Sequence, residues 1–230
     1  MKESEFFLND PWLEPYQGVL RDRHEAYKQK LRAITAGGDL LSFASGHLYY
    51  GMHEYDNTVV FREWAPNARQ IFLVGSFNDW QEKQDYAMQK INEEGDWEIV
   101  LPEDAVRHGD LYKLSVHWDG GYGERIPSYA RTLVQDEKTK IFSCKHYRPG
   151  NPYNWKYPDF KPGHYKPLVY ECHVGMSSEK EKVATFDEFR QQVLPRIARN
   201  GYNTIQLMAI QEHPYYGSFG YHVSNFFAVS

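Results

Sequence analysis

Glu171 and His173 stand two residues apart in the apolar run LVYECHVG, and on a strand that spacing points both side chains to one face. Two titratable groups so placed have the chemistry of an acid and base pair. They also make a hydrogen-bonded polar layer at a strand end, and that plainer reading is preferred. Glu212, His213 and His222 invite a metal reading, but no H-x-x-x-H or C-x-x-C spacing supports one. No metal site and no cofactor are expected. Neither G-x-x-x-x-G-K nor a G-x-G-x-x-G between strand and helix occurs, which disfavours a nucleotide-sugar transferase. The Lys/Glu run SSEKEKV reads as a solvated loop.

Aromatic side chains are the other chemical resource. The 230 residues include 13 Phe, 6 Trp and 18 Tyr, more Tyr and Trp than a core requires. Amphipathic rings of this kind suit flat, partly polar ligands such as sugars, and equally suit protein interfaces. Lys and Arg number 26 against 31 Asp and Glu, a formal charge of −5, which argues against binding a nucleic-acid backbone. No apolar run of about 18 residues is present for a membrane span, and MKESEFFLNDPW lacks the apolar stretch of a secretory signal. Two cysteines, Cys144 and Cys172, allow at most one bridge. That usage points to a reducing, cytoplasmic setting.

The elements that hold these residues change character along the chain. Asp10 can cap a first helix with Pro11 at its first position. Leu20, His24, Tyr27, Leu31 and Ile34 then recur at helical spacing and Gly37-Gly38 ends the run. Pro15 and Gly18 delay the regular part to near Val19. DLLSFASG follows as a short helical turn. From about Tyr49 to Asp136 the period becomes two, with strands expected at Val59–Trp64, Gln70–Gly75, Trp97–Leu101, Leu111–Trp118 and Thr132–Gln135. Trp97, Ile99 and Leu101 share one face; so do Tyr112, Leu114, Val116 and Trp118. The Asp119-Gly120-Gly121 step signals a hairpin. The class expected is mainly β: an Ig-like antiparallel β-sandwich over 49–146, preceded by a helical arm over 1–48. A proline- and tyrosine-rich linker spans 147–167.

Beyond it, residues 168–230 read as a βαβ unit. Leu168–Gly175 is a short buried strand. Thr185 and Glu188 form a capping box, Phe186, Phe189, Val193, Ile197 and Ala198 give a helical face, and Pro195 must kink it. Thr204–Ile210 is a second strand, parallel to the first. One such unit exposes sheet faces and edges, and FFAVS stops in mid-pattern, so the sequence is expected to be cut off. An ordered C-terminal segment would then need cover from the sandwich or from oligomer contacts.

FREWAPNARQIFLVGSFNDW resembles the glucan-binding β-sandwich of carbohydrate-binding module family forty-eight. YECHVGMSSEKEKVATFDEFRQQVLPRIARNGYNTIQLMAIQEHPYYGSFGYHVSNFFA is similar to the opening of the family-thirteen glycoside hydrolase barrel of eukaryotic-type 1,4-alpha-glucan branching enzymes. DPWLEPY and its helix match that family's N-terminal arm. The resemblance implies glycogen or starch synthesis: an α-1,4 glucan is cleaved through a covalent glycosyl-enzyme and passed to a 6-hydroxyl, forming an α-1,6 branch. That chemistry needs a carboxylate nucleophile and a carboxylic acid/base. In the family both lie on later strands of a (β/α)8 barrel of about 250 residues, far more than follow Pro167. No catalytic residue is therefore assigned, and the 230 residues alone are expected to lack transfer activity.

The resemblance also supplies one substrate contact, and the sandwich offers further candidates of its own. Tyr221, in SFGYH, matches the tyrosine that lines the subsite holding the cleaved sugar. Trp80 is the candidate sugar platform of the sandwich, with Trp97 and Lys90 in the same module. Each has a plainer account: Trp80 packing over a strand end, Trp97 in the core, Lys90 solvated, Tyr221 an exposed loop tyrosine. The partner implied is an α-1,4-glucan. A stand-alone glycogen-binding module and a protein-contact sandwich are the alternatives, and a βαβ start with a GYH loop is of no use to either.

Overall fold

The computed structural model describes residues 10–161, 163 and 165–230. The first nine positions of the expected helical arm, and Pro162 and His164 of the expected linker, lie outside the described residues. The chain divides into two compact units, Met1–Tyr49 and Tyr50–Ser230.

In the first unit the Asp10 carboxylate accepts the Trp12 N–H at 2.9 Å, and a 3-10 turn at Glu14–Tyr16 leads into helix α1, Gln17–Thr35. Leu20, His24, Leu31 and Ile34 are half-buried, whereas Tyr27 of the expected face is exposed. Ala36 and Gly37 adopt left-handed φ values of 49° and 85°, and the Gly37 N–H returns to the Arg32 carbonyl at 3.2 Å. Such a stop satisfies an orphan carbonyl of the last turn. Asp39 caps α2, Leu40–Phe43, and α3, Gly46–Tyr49, follows.

The second unit opens with the sandwich. Strands β1 (Gly51–Tyr55), β2 (Thr58–Trp64), β4 (Gln89–Lys90) and β5 (Asp96–Pro102) form one antiparallel sheet in the order β1-β2-β5-β4. The other contains β3 (Ala68–Gly75), β6 (Leu111–Trp118), β7 (Gly121–Arg125), β8 (Leu133–Gln135) and β9 (Phe142–Lys145). Its order is β3-β6-β9-β8, and β7 pairs with β6. The β6–β7 hairpin turns at Asp119-Gly120 as expected, with Trp118 opposite Gly121. Phe61, Trp97, Ile99 and Leu101 from the first sheet meet Ile71, Leu73, Tyr112 and Leu114 from the second in one buried cluster. Burying these faces against each other is what holds two half-apolar sheets together.

The expected βαβ unit is present. β10 (Val169–His173) pairs in parallel with β11 (Thr204–Met208), from Val169 opposite Thr204 to His173 opposite Met208. Between them α4 (Phe186–Glu188) runs through a π turn at Phe189–Val193 into α5 (Leu194–Arg199). Pro195, in the first turn of α5, has no N–H to donate, and the preceding wide turn, with Leu194 N–H reaching the Phe189 carbonyl, accommodates it. The extra residue rotates the apolar face. Phe189, Val193, Leu194 and Ile197 face inward with Cys172 and Val174, while Phe186 and Ala198 of the expected face are exposed.

The last residues pack on the sandwich. Ala228 is fully buried in the sandwich cluster, and the Asn225 amide donates to the Pro127 carbonyl at 3.1 Å. Backbone bonds from Glu212 N–H to the Ala228 carbonyl and from Ser230 N–H to the Ile210 carbonyl, both 2.9 Å, tie this segment to the end of β11. Part of the βαβ surface stays open, with Leu168, Val169 and Tyr170 exposed.

Candidate carbohydrate site

The turn after β3 is built to present one ring. Asn78 is buried; its carbonyl oxygen accepts the Gly75 N–H at 2.9 Å and its amide donates to the Leu73 carbonyl at 3.0 Å. The Ser76 hydroxyl donates to Asp110 at 2.6 Å and accepts the Leu111 N–H at 3.1 Å. So anchored, Asp79 and Trp80 take φ values of 60° and 59°. A left-handed backbone is unfavourable for a bulky residue. Strain of this kind persists where the surrounding structure imposes it, and it concentrates at functional sites. Its result here is a tryptophan 37% exposed at the end of a sheet.

Lys113 answers it from β6. Its ammonium lies 5.6 Å from the centre of the Trp80 ring and donates to Glu124 at 2.6 Å. A cation held over an indole face is attracted by the ring quadrupole. Lys113 and Ser115 point away from the core yet are both buried, because Trp80 and Glu82 lie over them. A groove of about 570 Å³ opens beside Trp80, lined also by Glu124, Gln135, Glu137 and Thr139.

The same sheet face continues past Ser115. Pairing of Ser115 with Glu124 and of His117 with Tyr122 sets all four on one side. Glu82 accepts the Ser115 hydroxyl at 2.6 Å and lies 2.8 Å from His117 Nε2. These bonds, the Ser115 hydroxyl first, hold the Glu82 carboxyl below its ordinary value, so it stays an anionic acceptor. Tyr122, 71% exposed, stacks on His117 at 5.4 Å and 16°. Lys113 and His117 are four residues apart on β6, roughly 13 Å. A ring stands at each end of this strip and fixed hydrogen-bonding groups lie between, an arrangement suited to a chain of pyranose rings.

Two of the expected contacts are not in this strip. Trp97 is 5% exposed in the core, its indole N–H donating to the Ala65 carbonyl at 3.0 Å. It has no face to offer a ligand, so its place among the sugar contacts is corrected: alternation along β5 turns it inward with Ile99 and Leu101. Lys90 sits on β4, at the edge of the other sheet, 3.8 Å from Glu93, and does not line the Trp80 groove. Lys113, Glu82, Glu124 and Tyr122 were not singled out from sequence. The available signal was the outward register of Lys113, Ser115 and His117 in LYKLSVHW.

Tyr221 is 61% exposed, and its hydroxyl lies 3.4 Å from the sulfur of Met208, the last residue of β11. Gly220, at φ 80°, fixes the approach: a Cβ there would meet the Ala209 carbonyl oxygen at 2.5 Å. Tyr221 thus stands at the C-terminal end of a parallel strand, where barrel enzymes carry their substrate contacts. Glu171 and His173 are engaged separately. Glu171 accepts from the Gln206 amide at 3.1 Å. His173 Nε2 donates to the Phe219 carbonyl at 2.7 Å, while Nδ1 faces the Met176 N–H at 3.3 Å. This is the polar layer rather than an acid and base pair.

Residues 49–131 match carbohydrate-binding module 48, the isoamylase N-terminal domain. A 1,4-alpha-glucan-branching enzyme of Dictyostelium discoideum is 38% identical over 96% of this chain and 33% of its own length. One from Solanum tuberosum is 41% identical over 96% of the chain and 26% of its own. The chain thus spans about a third or less of the length of these curated relatives. Among solved structures, a pullulanase from Bacillus acidopullulyticus superposes with a TM-score of 0.62 at 18% identity, covering 79% of this chain and 25% of that one. A pullulanase from Paenibacillus barengoltzii, complexed with maltotriose, gives 0.58 at 19%, covering 86% and 36%. These two show the shared fold. Residues 49–131 thus match a carbohydrate-binding module 48 domain, and nearly the whole chain is similar to a part of 1,4-alpha-glucan-branching enzymes.

Proposed function

We propose that this chain is the glucan-binding part of a branching enzyme that forms α-1,6 branches on α-1,4-glucan. The sandwich holds the polysaccharide across the face running from Trp80 to Tyr122. The observation that carries the reading is Trp80 itself: a left-handed backbone turns its ring outward, across the buried Lys113 ammonium. Residues 168–230 open the barrel and bring Tyr221 to the end of β11 as a substrate-lining ring. The parallel pair β10–β11 with its crossover helix favours this over a stand-alone binding module. The transfer chemistry is assigned to no residue of these 230. Both cysteines are buried free thiols, in keeping with the reducing, cytoplasmic setting proposed for the chain.

Affinity electrophoresis of the 230-residue chain through glycogen tests the binding claim. Retardation that weakens with Trp80→Ala supports it; migration identical with and without glycogen refutes it.

A further inference from the structure

The connection between the sandwich and β10 carries four rings that the Trp80 face does not use. Tyr153, Trp155, Tyr157 and Phe160 are 71%, 75%, 79% and 73% exposed. They wall an open groove of about 1000 Å³ whose lining includes Asp187 and Arg190 of the α4 segment. Tyr153 meets Trp155 edge to face at 5.1 Å and 86°. Asp187 is held by Arg190 Nη2 and Gln191 Nε2, each at 2.5 Å, and by Arg190 Nε at 3.1 Å.

We propose that this groove is a second α-glucan site. The inference rests on the reading of the chain as a glucan binder, and it assigns that role to residues outside the carbohydrate-binding module. Two features of the groove select a sugar over an apolar protein surface. Among the described residues its apolar lining is aromatic apart from Pro158 and the stems of Lys156 and Arg190, which suits the flat C–H faces of sugars better than the interdigitating aliphatic surface of a protein core. An apolar partner would also have to strip water from the Asp187–Arg190 ion pair without replacing its hydrogen bonds, which is costly. A glucan presents C–H faces to the rings and hydroxyls to the fixed carboxylate and guanidinium. A polysaccharide long enough to reach both sites would gain through effective concentration, since the second contact becomes intramolecular.

The test is a maltoheptaose titration of the 230-residue chain followed by the indole N–H resonances, each assigned by its loss in a Trp→Ala variant. The result expected is a saturable shift of Trp155 that persists in Trp80→Ala. In that background Trp155→Ala should weaken the remaining binding about fivefold or more, and Arg190→Ala should do so without removing a ring. Trp155 is exposed, so its replacement leaves the core intact, and unchanged Trp97 shifts in the variant verify this. A Trp155 resonance that never moves while Trp80 shifts overturns this proposal and leaves the sandwich reading standing. A Trp155 shift with no response at Trp80 supports this site and removes the other. No shift at either ring overturns both.

Discussion

The ring of Phe227 stacks on Tyr129 at 4.4 Å with an interplanar angle of 29°, and Tyr129 in turn stacks on Tyr50 at 5.5 Å. Asn225 bonds the Pro127 carbonyl beside this stack, and Glu63, buried, accepts the Ser128 N–H at 2.9 Å from the other side. The loop that follows β11 is therefore held by the sandwich. Asn225→Ala removes the loop's donor to the Pro127 carbonyl, which keeps its bond from the Ala130 N–H at 3.2 Å, and should cost about 0.5–1.5 kcal/mol locally. Amide exchange should speed up at Glu212 and Ser224, whose N–H groups are bonded within this segment, and stay unchanged in β2 and β5. Equal acceleration in the sandwich strands would show that the loop is not a separate docking element.

Trp97 and Trp80 should behave as opposites on mutation. Trp97→Ala removes a core indole and its bond to Ala65, and is expected to destabilise the sandwich by about 3–5 kcal/mol. Trp80→Ala should leave the denaturation midpoint nearly unchanged. Urea unfolding followed by circular dichroism separates the two. A stable Trp97→Ala variant with impaired glucan binding would reinstate Trp97 as a contact.

Alternation made the inner faces of β5 and β6 legible, because Trp97, Ile99, Leu101, Tyr112 and Leu114 repeat every second residue and only one face of each strand meets the other sheet. The strip outside was not legible. Lys113 and Ser115 look like solvent-facing residues in sequence, and only the fold of the Trp80 turn over β6 reveals that they are covered. Lys90 and Trp97 share a module with Trp80, but the chain crosses to the other sheet before reaching them. The strands GMHEY, GYGER and FSCK went unread since few of their residues are apolar. Pro195 announced an irregular helix, but not that the irregularity would be a wide turn exchanging Ala198 for Leu194 on the inner face. The docking of Ala228 depends on a partner some hundred residues away, which no local pattern records.

The capping box at α4 gives a pH signature. Glu188 accepts the Thr185 N–H at 3.0 Å while Thr185 accepts the Glu188 N–H at 3.1 Å. The hydrogen bond from Lys182, followed by that from Thr185, lowers the Glu188 carboxyl from 4.5 to about 2. A carboxylate depressed on folding contributes stability above its unfolded value, and that contribution is lost as pH falls toward the folded value. The start of α4 should therefore loosen between about pH 4.5 and 2, with a side-chain carboxyl titration near 2 by carbon NMR. Lys182→Ala should move that midpoint upward; an unmoved midpoint would remove Lys182 as the cause.

Along the strip, Tyr122→Ala should weaken maltoheptaose binding less than Trp80→Ala does, because Tyr122 is 71% exposed while Trp80 is held by its turn and Lys113. Calorimetric titration of both variants ranks them, and a larger loss at Tyr122 would shift the centre of the site to the β6–β7 hairpin.

The Lys113 clamp on Trp80 is the feature from which the glucan-binding account starts. Calorimetric titration of maltoheptaose into the 230-residue chain and its Lys113→Ala and Trp80→Ala variants tests it most directly. The account predicts saturable binding by the unaltered chain, weakened about tenfold or more in Trp80→Ala and measurably in Lys113→Ala. Affinity unchanged in both variants would contradict it.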